Sequence, residues 1–309
     1  MTDRGRFGED GDTTRFLVSF CNIRGKASGG AQIAFVTLRE GEKRVRWVQL
    51  KKNVRLGGAT GICFWKDGLV CATHQGGSET LAGFVILDPA KNFEPVSEGT
   101  LPPDPHSACS RDGELYFAVT GRDRVYKAVY DDSLKEWRNE PYWKFPDSSG
   151  KRDENHLNGL GYVDGELCVS GFERKTSERW DSATRGFLYN VDREEYVMRG
   201  IFHPHSLLAD SRTVWTCESQ ENRLVSRDGD EYNLPSSYLR GLAMDEGYFY
   251  VGSSKRRPIS KSTGKPNPKV KRRNRGSCCV YRVAKGSEEA EMLVDFSHVR
   301  DEIYDVVLL

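Results

Sequence analysis

The sequence predicts an all-β fold, a six-bladed β-propeller whose ring closes by pairing the N-terminal strands with the C-terminal strand. Three observations predict it. A strand–turn–strand unit recurs along the 309 residues, the chain ends on half of such a unit, and no long amphipathic helical pattern interrupts it. Repeats of roughly 50 residues, rich in β-branched and aromatic residues, are typical of propeller blades with about four strands each.

The repeating unit is clearest in two segments that contain Pro-His-Ser. "DPHSACSRDGELYF" from Asp104 and "FHPHSLLADSRTVW" from Phe202 each place a turn between two apolar runs, a pattern that favours a β-hairpin. Each complete unit has one position, which we call the anchor, that lies nine residues before the start of its second strand. The six anchors are Thr60, His106, Asn158, His205, Arg240 and Tyr304.

The last anchor belongs to a half unit, "YDVVLL" from Tyr304, which has no second strand of its own. The N-terminal runs "RFLVSFCNI", "AQIAFVTL" and "RVRWVQL" supply about three further strands. Pairing the two ends of the chain would remove the exposed sheet edges. We therefore expect residues 15–309 to form one propeller domain after a disordered tail at residues 1–14.

The first strand of a propeller blade lines the central channel, so the anchors should meet at the axis. Alternate residues of a strand face the same way, so the positions two residues earlier should form a second layer. Four of the six histidines fall in these two layers. The ends of the second strands should surround the same opening. They carry His74, Glu173, Glu218 and Lys255.

Imidazoles on separate strands predict a metal centre, because neutral histidine binds zinc, iron, nickel and manganese well. We expect one divalent transition metal, whose identity stays open among these four. Its predicted ligands are His106, His156 and His205, with His203 as an alternative. A structural role, in which the repeated histidines bond within their own blades, is the competing interpretation.

Other residues of the two layers predict substrate binding and proton transfer. Arg240 could hold a carboxylate or phosphate in a bidentate manner, with Asn158 and His74 as further substrate-binding residues. The candidate catalytic residues are Tyr304, Glu218 and Glu302, which can move protons. Two alternatives stay open: a structural salt bridge from Arg240 to Glu302 or Asp305, and a channel-plugging role for Tyr304.

Charge is nearly balanced over the chain, with 46 basic and 45 acidic residues, but it is unevenly distributed. The segment 255–275, "KRRPISKSTGKPNPKVKRRNR", holds ten Lys and Arg and no acidic residue. We expect a basic, disordered insertion there, either a solvated loop or a site for a polyanion such as nucleic acid.

The cysteines and the chain's hydropathy predict a location. The eight cysteines lie mostly in strand-like runs and form no Cys-x-x-Cys pair, so we expect reduced core residues. Neither a secretory signal nor a transmembrane segment is evident. These features predict a cytoplasmic monomer.

Several motifs in the second half resemble those of an uncharacterised, mostly bacterial family of propeller proteins. "HLNGLGYVDG", "PHSLL", "YLRGLA", "VGSSKRR" and "EIYDVVLL" are similar, in this order, to the family's HLNGLA-, PHSPR-, RGLA-, VGLSK- and EIYDV-like segments. The resemblance covers roughly residues 155–309, implies a propeller, and singles out His156, Asn158, His205, Arg240, Tyr304 and Asp305. It implies no established activity. A more distant similarity links an axial metal site to lactonase-type propellers, whose carboxylate and Asn ligands differ from the histidines here.

Two functions follow from these observations. The first is a metal-dependent lyase, isomerase or hydrolase that acts on an anionic small molecule in the axial pocket. The alternative is a non-enzymatic binding or scaffold propeller that engages a partner or polyanion through the basic segment. A shared fold cannot choose between them.

Overall fold

The computed structural model describes residues 13–23, 30–51, 56–76, 81–235, 237–260, 263–267, 270–271 and 275–309. In these residues, 24 strands form six antiparallel four-stranded sheets. The inner strands of successive sheets contact one another all the way round, including the sixth and the first. The predicted six-bladed propeller is therefore confirmed.

Each of the first three blades consists of four strands that follow one another in sequence. Blade 1 contains β4 (Ala59–Trp65), β5 (Leu69–His74), β6 (Gly83–Asp88) and β7 (Glu94–Thr100). Blade 2 contains β8 (Pro105–Arg111), β9 (Glu114–Val119), β10 (Arg124–Asp131) and β11 (Glu136–Lys144). Blade 3 contains β12 (Gly159–Val163), β13 (Glu166–Phe172), β14 (Gly186–Asn190) and β15 (Glu195–Arg199).

The remaining blades complete the ring, and the last of them joins the two ends of the chain. Blade 4 contains β16 (Pro204–Ala209), β17 (Val214–Glu218), β18 (Arg223–Ser226) and β19 (Glu231–Asn233). Blade 5 contains β20 (Tyr238–Met244), β21 (Tyr248–Ser254), β22 (Cys279–Ala284) and β23 (Ala290–Asp295). Blade 6 contains β24 (Ile303–Leu308), β1 (Thr13–Phe20), β2 (Ile33–Arg39) and β3 (Glu42–Val48). Short 3-10 turns occur at Lys66–Gly68, Pro89–Lys91, Thr120–Arg122 and Trp180–Ser182.

The ring closes as the half unit predicted. Strand β24 is the innermost strand of blade 6 and pairs with β1, so that Phe16 lies opposite Leu308 and Val18 opposite Val306. Phe16, Val18 and Val306 are buried in one apolar cluster. The first strand begins at Thr13, whereas the sequence analysis began the domain at residue 15; residues 1–12 lie outside the described part.

Aromatic side chains pack blades against each other. Phe84 of blade 1 stacks on Phe117 of blade 2, with ring centroids 4.8 Å apart, and Phe145 stacks on Phe187 of blade 3 at 4.7 Å. All four rings are buried. Truncating such a residue to alanine typically costs about 3–5 kcal/mol, so these contacts strongly stabilise the ring.

The position after each anchor alternates between glycine and a polar residue. Blades 1, 3 and 5 carry Gly61, Gly159 and Gly241 there, and blades 2, 4 and 6 carry Ser107, Ser206 and Asp305. Each polar residue accepts a hydrogen bond from a backbone N–H of the following blade. These bonds come from Leu160 to Ser107 at 3.1 Å, from Gly241 to Ser206 at 3.0 Å, and from Ile62 to Asp305 at 2.9 Å.

The glycines have a steric reason. A Cβ atom at Gly61 would lie 2.5 Å from Cα of Ser107, and one at Gly241, whose φ is +78°, would lie 2.8 Å from the carbonyl carbon of Asp305. The blades therefore meet in two alternating ways, by close backbone approach and by a side-chain bond. Backbone can approach this closely only where a residue has no side chain.

Two further expectations concern the whole chain. All eight cysteines lie in described residues and no disulfide joins them, which agrees with the predicted reduced state. Within the described residues, no helix has the length and apolar character needed to cross a bilayer.

Candidate functional site

A cavity of about 380 Å³ opens at one end of the axis, and residues from all six blades or their connections line it. Five of the six positions of the second layer predicted from the sequence line it: Asp104, His156, His203, Tyr238 and Glu302. Three anchors, His106, Arg240 and Tyr304, also line it. The repeat therefore brings its polar residues to a shared pocket, as expected.

The second layer has a different geometric origin from the one predicted. Asp104, His156 and His203 precede their strands, and their φ angles are +65°, +49° and +56°. This left-handed conformation is uncommon for residues other than glycine. The side chains reach the pocket through this turn and not through strand alternation. Strained backbone of this kind is concentrated at functional sites.

Two Asp–His pairs lie side by side in the wall formed by blades 2 and 3. His106 Nε2 lies 3.2 Å from Asp104 Oδ1, and His156 Nδ1 lies 3.0 Å from Asp153 Oδ2. Because an ionised carboxylate only accepts hydrogen bonds, each of these ring nitrogens carries the proton when the imidazole is neutral. The two rings meet edge to face, with centroids 5.2 Å apart.

The opposite nitrogens of these two rings have different surroundings. His106 Nδ1 is buried, and no described residue bonds it. Burial lowers the pKa of His106, although Asp104 acts in the opposite direction, so the ring is neutral at pH 7. The His156 side chain is 16% exposed, and none of the described residues bonds its Nε2. His156 therefore presents a lone pair to the pocket.

His203 and His205 have roles that differ from each other. His203 donates from Nε2 to the Trp180 carbonyl at 2.8 Å and accepts at Nδ1 from the Tyr238 hydroxyl at 2.9 Å. Burial lowers its pKa to about 4. Both nitrogens are thus occupied, which makes His203 a support for the loop that carries Trp180 and removes its capacity as an alternative metal ligand in this arrangement.

His205 is buried beside the pocket and does not line it. Its Nδ1 lies 2.9 Å from Ser219 Oγ, whose own proton is donated to the Leu239 carbonyl at 2.7 Å. His205 Nδ1 therefore carries the proton, and Nε2 is an acceptor without a partner among the described residues. Burial lowers the pKa of His205 well below its usual value, so the ring stays neutral.

Tyr304 forms the floor of the pocket. Its hydroxyl donates to the Asn158 carbonyl at 3.2 Å, on the blade directly across the ring. Its ring lies 5.2 Å from the ring of His106 and 5.4 Å from the Arg240 guanidinium carbon. Burial raises the pKa of Tyr304 well above its usual value. These contacts favour the plug interpretation over proton transfer.

A buried charge cluster forms the wall at blades 5 and 6. Glu302 accepts from Arg257 Nε at 2.7 Å, from Arg240 Nη1 at 3.3 Å and from Asn22 Nδ2 at 2.9 Å. Burial alone would raise the pKa of Glu302, but the bond to Arg257 and the two positive charges lower it to about 2. Glu302 is therefore ionised, and the predicted salt bridge from Arg240 is formed. Glu302 acts as a partner for cations rather than as a proton donor.

No group of three or more His, Cys, Asp or Glu side chains in the described residues has an arrangement suited to a metal ion. His106, His156 and His205 nonetheless share one feature of metal ligands. Each donates one N–H to an oxygen, which is how outer partners orient ligating histidines. The metal of the sequence analysis remains a prediction.

Three other predicted site residues lie away from the cavity. His74 lines a separate groove of about 470 Å³ beside Lys51 and Glu98. Glu218 accepts from Arg223 Nε at 2.5 Å and from the Phe202 N–H at 2.7 Å, so it is a structural ion pair. The Asn158 side chain accepts from Ser170 within its own blade at 2.8 Å. None of the three lines the axial cavity in this arrangement.

The error at His74 has a geometric cause. The pocket is lined by Gln75 and not His74, and likewise by Phe172 and not Glu173. Neighbouring residues of an extended chain face opposite sides, so an error of one position exchanges the faces.

The described residues of the basic segment lie against the propeller, and the disordered insertion at residues 255–275 stays a prediction. Arg257 bonds Glu302, Lys255 Nζ lies 2.7 Å from Asp301, and Lys265 Nζ lies 3.2 Å from Glu178. The Arg256 N–H donates to the Arg275 carbonyl at 2.6 Å. Residues 261–262, 268–269 and 272–274 lie outside the described part.

This segment also meets a loop from blade 3. Arg179 Nη1 donates to the Pro266 carbonyl at 2.9 Å. Arg179, Trp180 and Asn267 all line the cavity, so the two connections form its upper wall. Sequence reasoning missed these residues because they lie outside the repeating unit.

The fold and the site define a class of protein: a six-bladed propeller with a polar, partly charged pocket at one mouth of its axis. The chain belongs to the family described as "Domain of unknown function (DUF4915)", which matches residues 133–309. An uncharacterised family was expected over roughly residues 155–309, and the match extends further toward the N-terminus.

Solved structures with the same fold are distant in sequence. A chain of the nidogen/laminin complex is 12% identical, with a TM-score of 0.59 over 96% of this chain and 98% of that one. A protein from Lactobacillus plantarum is 12% identical, with a TM-score of 0.56 over 96% and 99%. A candidate 6-phosphogluconolactonase from Bacteroides fragilis is 10% identical, with a TM-score of 0.55 over 98% and 100%. These similarities show the fold alone. No curated protein matches the sequence.

Proposed function

We propose that this protein is a hydrolase that acts on an anionic small molecule in the axial pocket. The observation that carries the proposal is the His156–Asp153 pair. Asp153 orients the ring from Nδ1, and the lone pair of Nε2 faces the pocket. An imidazole oriented by a carboxylate is a common general base in hydrolysis.

The chemistry that fits this pair is attack of water on an ester or lactone carbonyl. His156 Nε2 takes a proton from the attacking water while the oxygen of that water bonds to the carbonyl carbon. When the bond from that carbon to the leaving oxygen breaks, the imidazolium returns the proton to the leaving oxygen. Asp153 stabilises the imidazolium in between, as the carboxylate does in other hydrolases.

The opposite wall supports an anionic substrate. Arg240 and Arg257 line the pocket and keep their positive charges beside the single carboxylate of Glu302. Fixed cations in a partly buried site stabilise negative charge that develops during reaction. They also orient a substrate that carries a carboxylate or phosphate of its own.

Two structures of the same fold add support. The proteins from Bacteroides fragilis and Bacteroides uniformis are both described as candidate 6-phosphogluconolactonases, and a lactonase is a hydrolase. At 10% and 12% identity they motivate the choice of substrates and carry no residue assignment. The lyase and isomerase alternatives have no comparable support.

The test is a proton-release assay with phosphorylated and carboxylated lactones and esters, each beside its uncharged analogue. We expect turnover of anionic members, and a loss in kcat of about 10²–10⁴ for His156→Gln, the usual contribution of a general base. Asp153→Asn should lower kcat as well, because an amide can hold the wrong tautomer. His298→Gln, outside the pocket, is the control.

Two results would contradict the proposal. One is a complete absence of turnover across the panel by folded protein. The other is a His156→Gln variant that keeps the wild-type kcat. Thermal midpoints of all variants need to match the wild type for either comparison to count.

A further inference from the structure

The wall at blades 5 and 6 holds three guanidinium groups around one carboxylate. Arg240 and Arg257 both bond Glu302. Arg256 bonds neutral oxygens, from Nη1 to Gln220 Oε1 at 3.1 Å and from Nη2 to the Gln220 carbonyl at 2.9 Å and Asn222 Oδ1 at 3.1 Å. All three arginines line the cavity. Three positive charges and one negative charge leave an excess of two.

Within the wall at blades 5 and 6, other charges do not cancel this excess. Lys255 is matched by Asp301 at 2.7 Å. Glu221, which acts on Arg256 electrostatically, is exposed, so water screens it. Arg240 is 9% exposed, and its Nε has no hydrogen-bond partner among the described residues. A buried guanidinium N–H without a partner is costly and indicates a missing acceptor.

The wall directly across the ring has the opposite hydrogen-bonding character. Asp104 and Asp153 are acceptors, and His156 Nε2 presents a lone pair. Blade 2 lies opposite blade 5 in the ring, and blade 3 lies opposite blade 6. The pocket therefore offers donors and positive charge on one side, and acceptors on the other. A fitting ligand carries an anion at one end and hydroxyl donors at the other.

We propose that the axial pocket binds a phosphate monoester of a small polyhydroxylated molecule, with the phosphate at Arg240, Arg256 and Arg257. A phosphate monoester carries close to two negative charges at neutral pH, which matches the excess of two positive charges. Its oxygens accept several N–H bonds at once, as arginine clusters provide. The inference rests on the proposed function in one respect only, namely that the bound phosphate monoester is the substrate.

The test is calorimetric titration of the full chain with three matched probes: glucose 6-phosphate, glucose 6-sulfate and glucose. The sulfate has a similar shape and one negative charge. We expect the phosphate to bind at least about tenfold more tightly than the sulfate, because it carries a second negative charge for the arginines, and glucose to bind weakest, because it carries none. The preference for phosphate should decrease below about pH 6, where the dianionic ester takes up one proton and keeps a single negative charge.

Two variants of this wall should change the affinity for glucose 6-phosphate in opposite directions. Arg257→Gln should weaken glucose 6-phosphate binding about tenfold or more. Glu302→Gln should strengthen it, because the excess charge rises. Arg282→Gln is the matched control: it lies in blade 5, pairs with Glu291 at 2.6 Å, and does not line the cavity. A thermal midpoint for each variant separates binding effects from loss of fold.

Three results would overturn the inference. They are equal affinities for phosphate and sulfate, unchanged binding in Arg257→Gln, and a single-stranded oligonucleotide of phosphodiesters that binds the pocket more tightly than the monoester. Failure here is distinct from failure of the hydrolase proposal. Tight phosphate binding without turnover refutes only the hydrolase, whereas turnover of carboxylated lactones without any phosphate preference refutes only this inference.

Discussion

Asp305 joins blade 6 to blade 1 in a way that depends on its protonation. Its Oδ2 accepts from the Ile62 N–H, and its Oδ1 accepts from the Val306 N–H, both at 2.9 Å. Burial raises the pKa of Asp305 to about 7, although both bonds favour the carboxylate. The folded protein therefore holds a proton near pH 6 that an unfolded chain, with a carboxyl pKa of about 3.9, releases.

The difference between the pKa of Asp305 in the folded protein and in the unfolded chain sets the sign and the size of a pH effect on stability. Stability should fall as pH rises from about 4 to about 7, because the unfolded chain binds fewer protons there than the folded protein. One pKa unit corresponds to about 1.4 kcal/mol, so about three units set an upper limit near 4 kcal/mol. Asp305 is only half-buried, and solvent screening reduces the expected loss to about 2–3 kcal/mol.

The chain itself suggests the matched variant. Ser107 and Ser206 occupy the equivalent positions of blades 2 and 4 and hold the next blade with a neutral hydroxyl. Asp305→Ser should keep the bond from Ile62 and remove the titration.

The assay is urea unfolding of both proteins between pH 4.5 and pH 8. The free energy of unfolding of the wild type minus that of Asp305→Ser should decrease by about 2–3 kcal/mol over this range. The buried neutral histidines destabilise both proteins at acidic pH, and the subtraction cancels them. A difference that is constant with pH would refute the reasoning.

Three further predictions concern closure, metal and charge. Deleting Ile303–Leu309, which contains the inner strand of blade 6, should unfold the whole ring cooperatively; a truncated protein with its full thermal midpoint would contradict this. The predicted metal centre is the alternative to a general-base role of His156, because the single lone pair of its Nε2 cannot serve both. If the centre forms, elemental analysis after reconstitution with zinc, iron, nickel and manganese in turn should find one metal, which is released at acidic pH and lost when any predicted ligand is changed to alanine. Those ligands are His106, His156 and His205, with His298→Ala as the control; protein that stays metal-free with all four metals would count against the site. Replacing residues 261–273 with a Gly-Ser linker should reduce heparin retention and its dependence on salt, and unchanged retention would show that the segment binds no polyanion.

The fold was predictable because each level of the sequence agrees with the others. The anchor spacing, the hairpin turns and the incomplete final unit all specify the same ring, and the inner strands contain or directly follow the predicted anchors. The pocket was predictable in part for the same reason. Asp104, His156 and Glu302 face it because the repeat places each of them at the entrance to an inner strand.

The remainder depended on contacts that the repeating unit does not specify, some of them between residues far apart in the chain. Nothing local shows that Glu218 pairs with Arg223 instead of facing the axis. Arg257 lies in a segment whose composition is typical of disorder, and only its contact with Glu302, 45 residues later, places it in the wall. The Trp180 loop is held by His203 through a backbone carbonyl, and such a bond has no sequence signature.

The alternation after the anchors has a consequence for how relatives of this chain are best compared. Gly61, Gly159 and Gly241 alternate with Ser107, Ser206 and Asp305, so the true period of the inner ring is two blades. A sequence profile that aligns all six blades with one another averages glycine with serine at this position, and the separate role of each residue is lost. A profile that aligns pairs of blades keeps glycine and serine at separate positions. The single exception is Asp305, which has a carboxylate where the other two blades have serine. At this position the ring is then three copies of a two-blade unit.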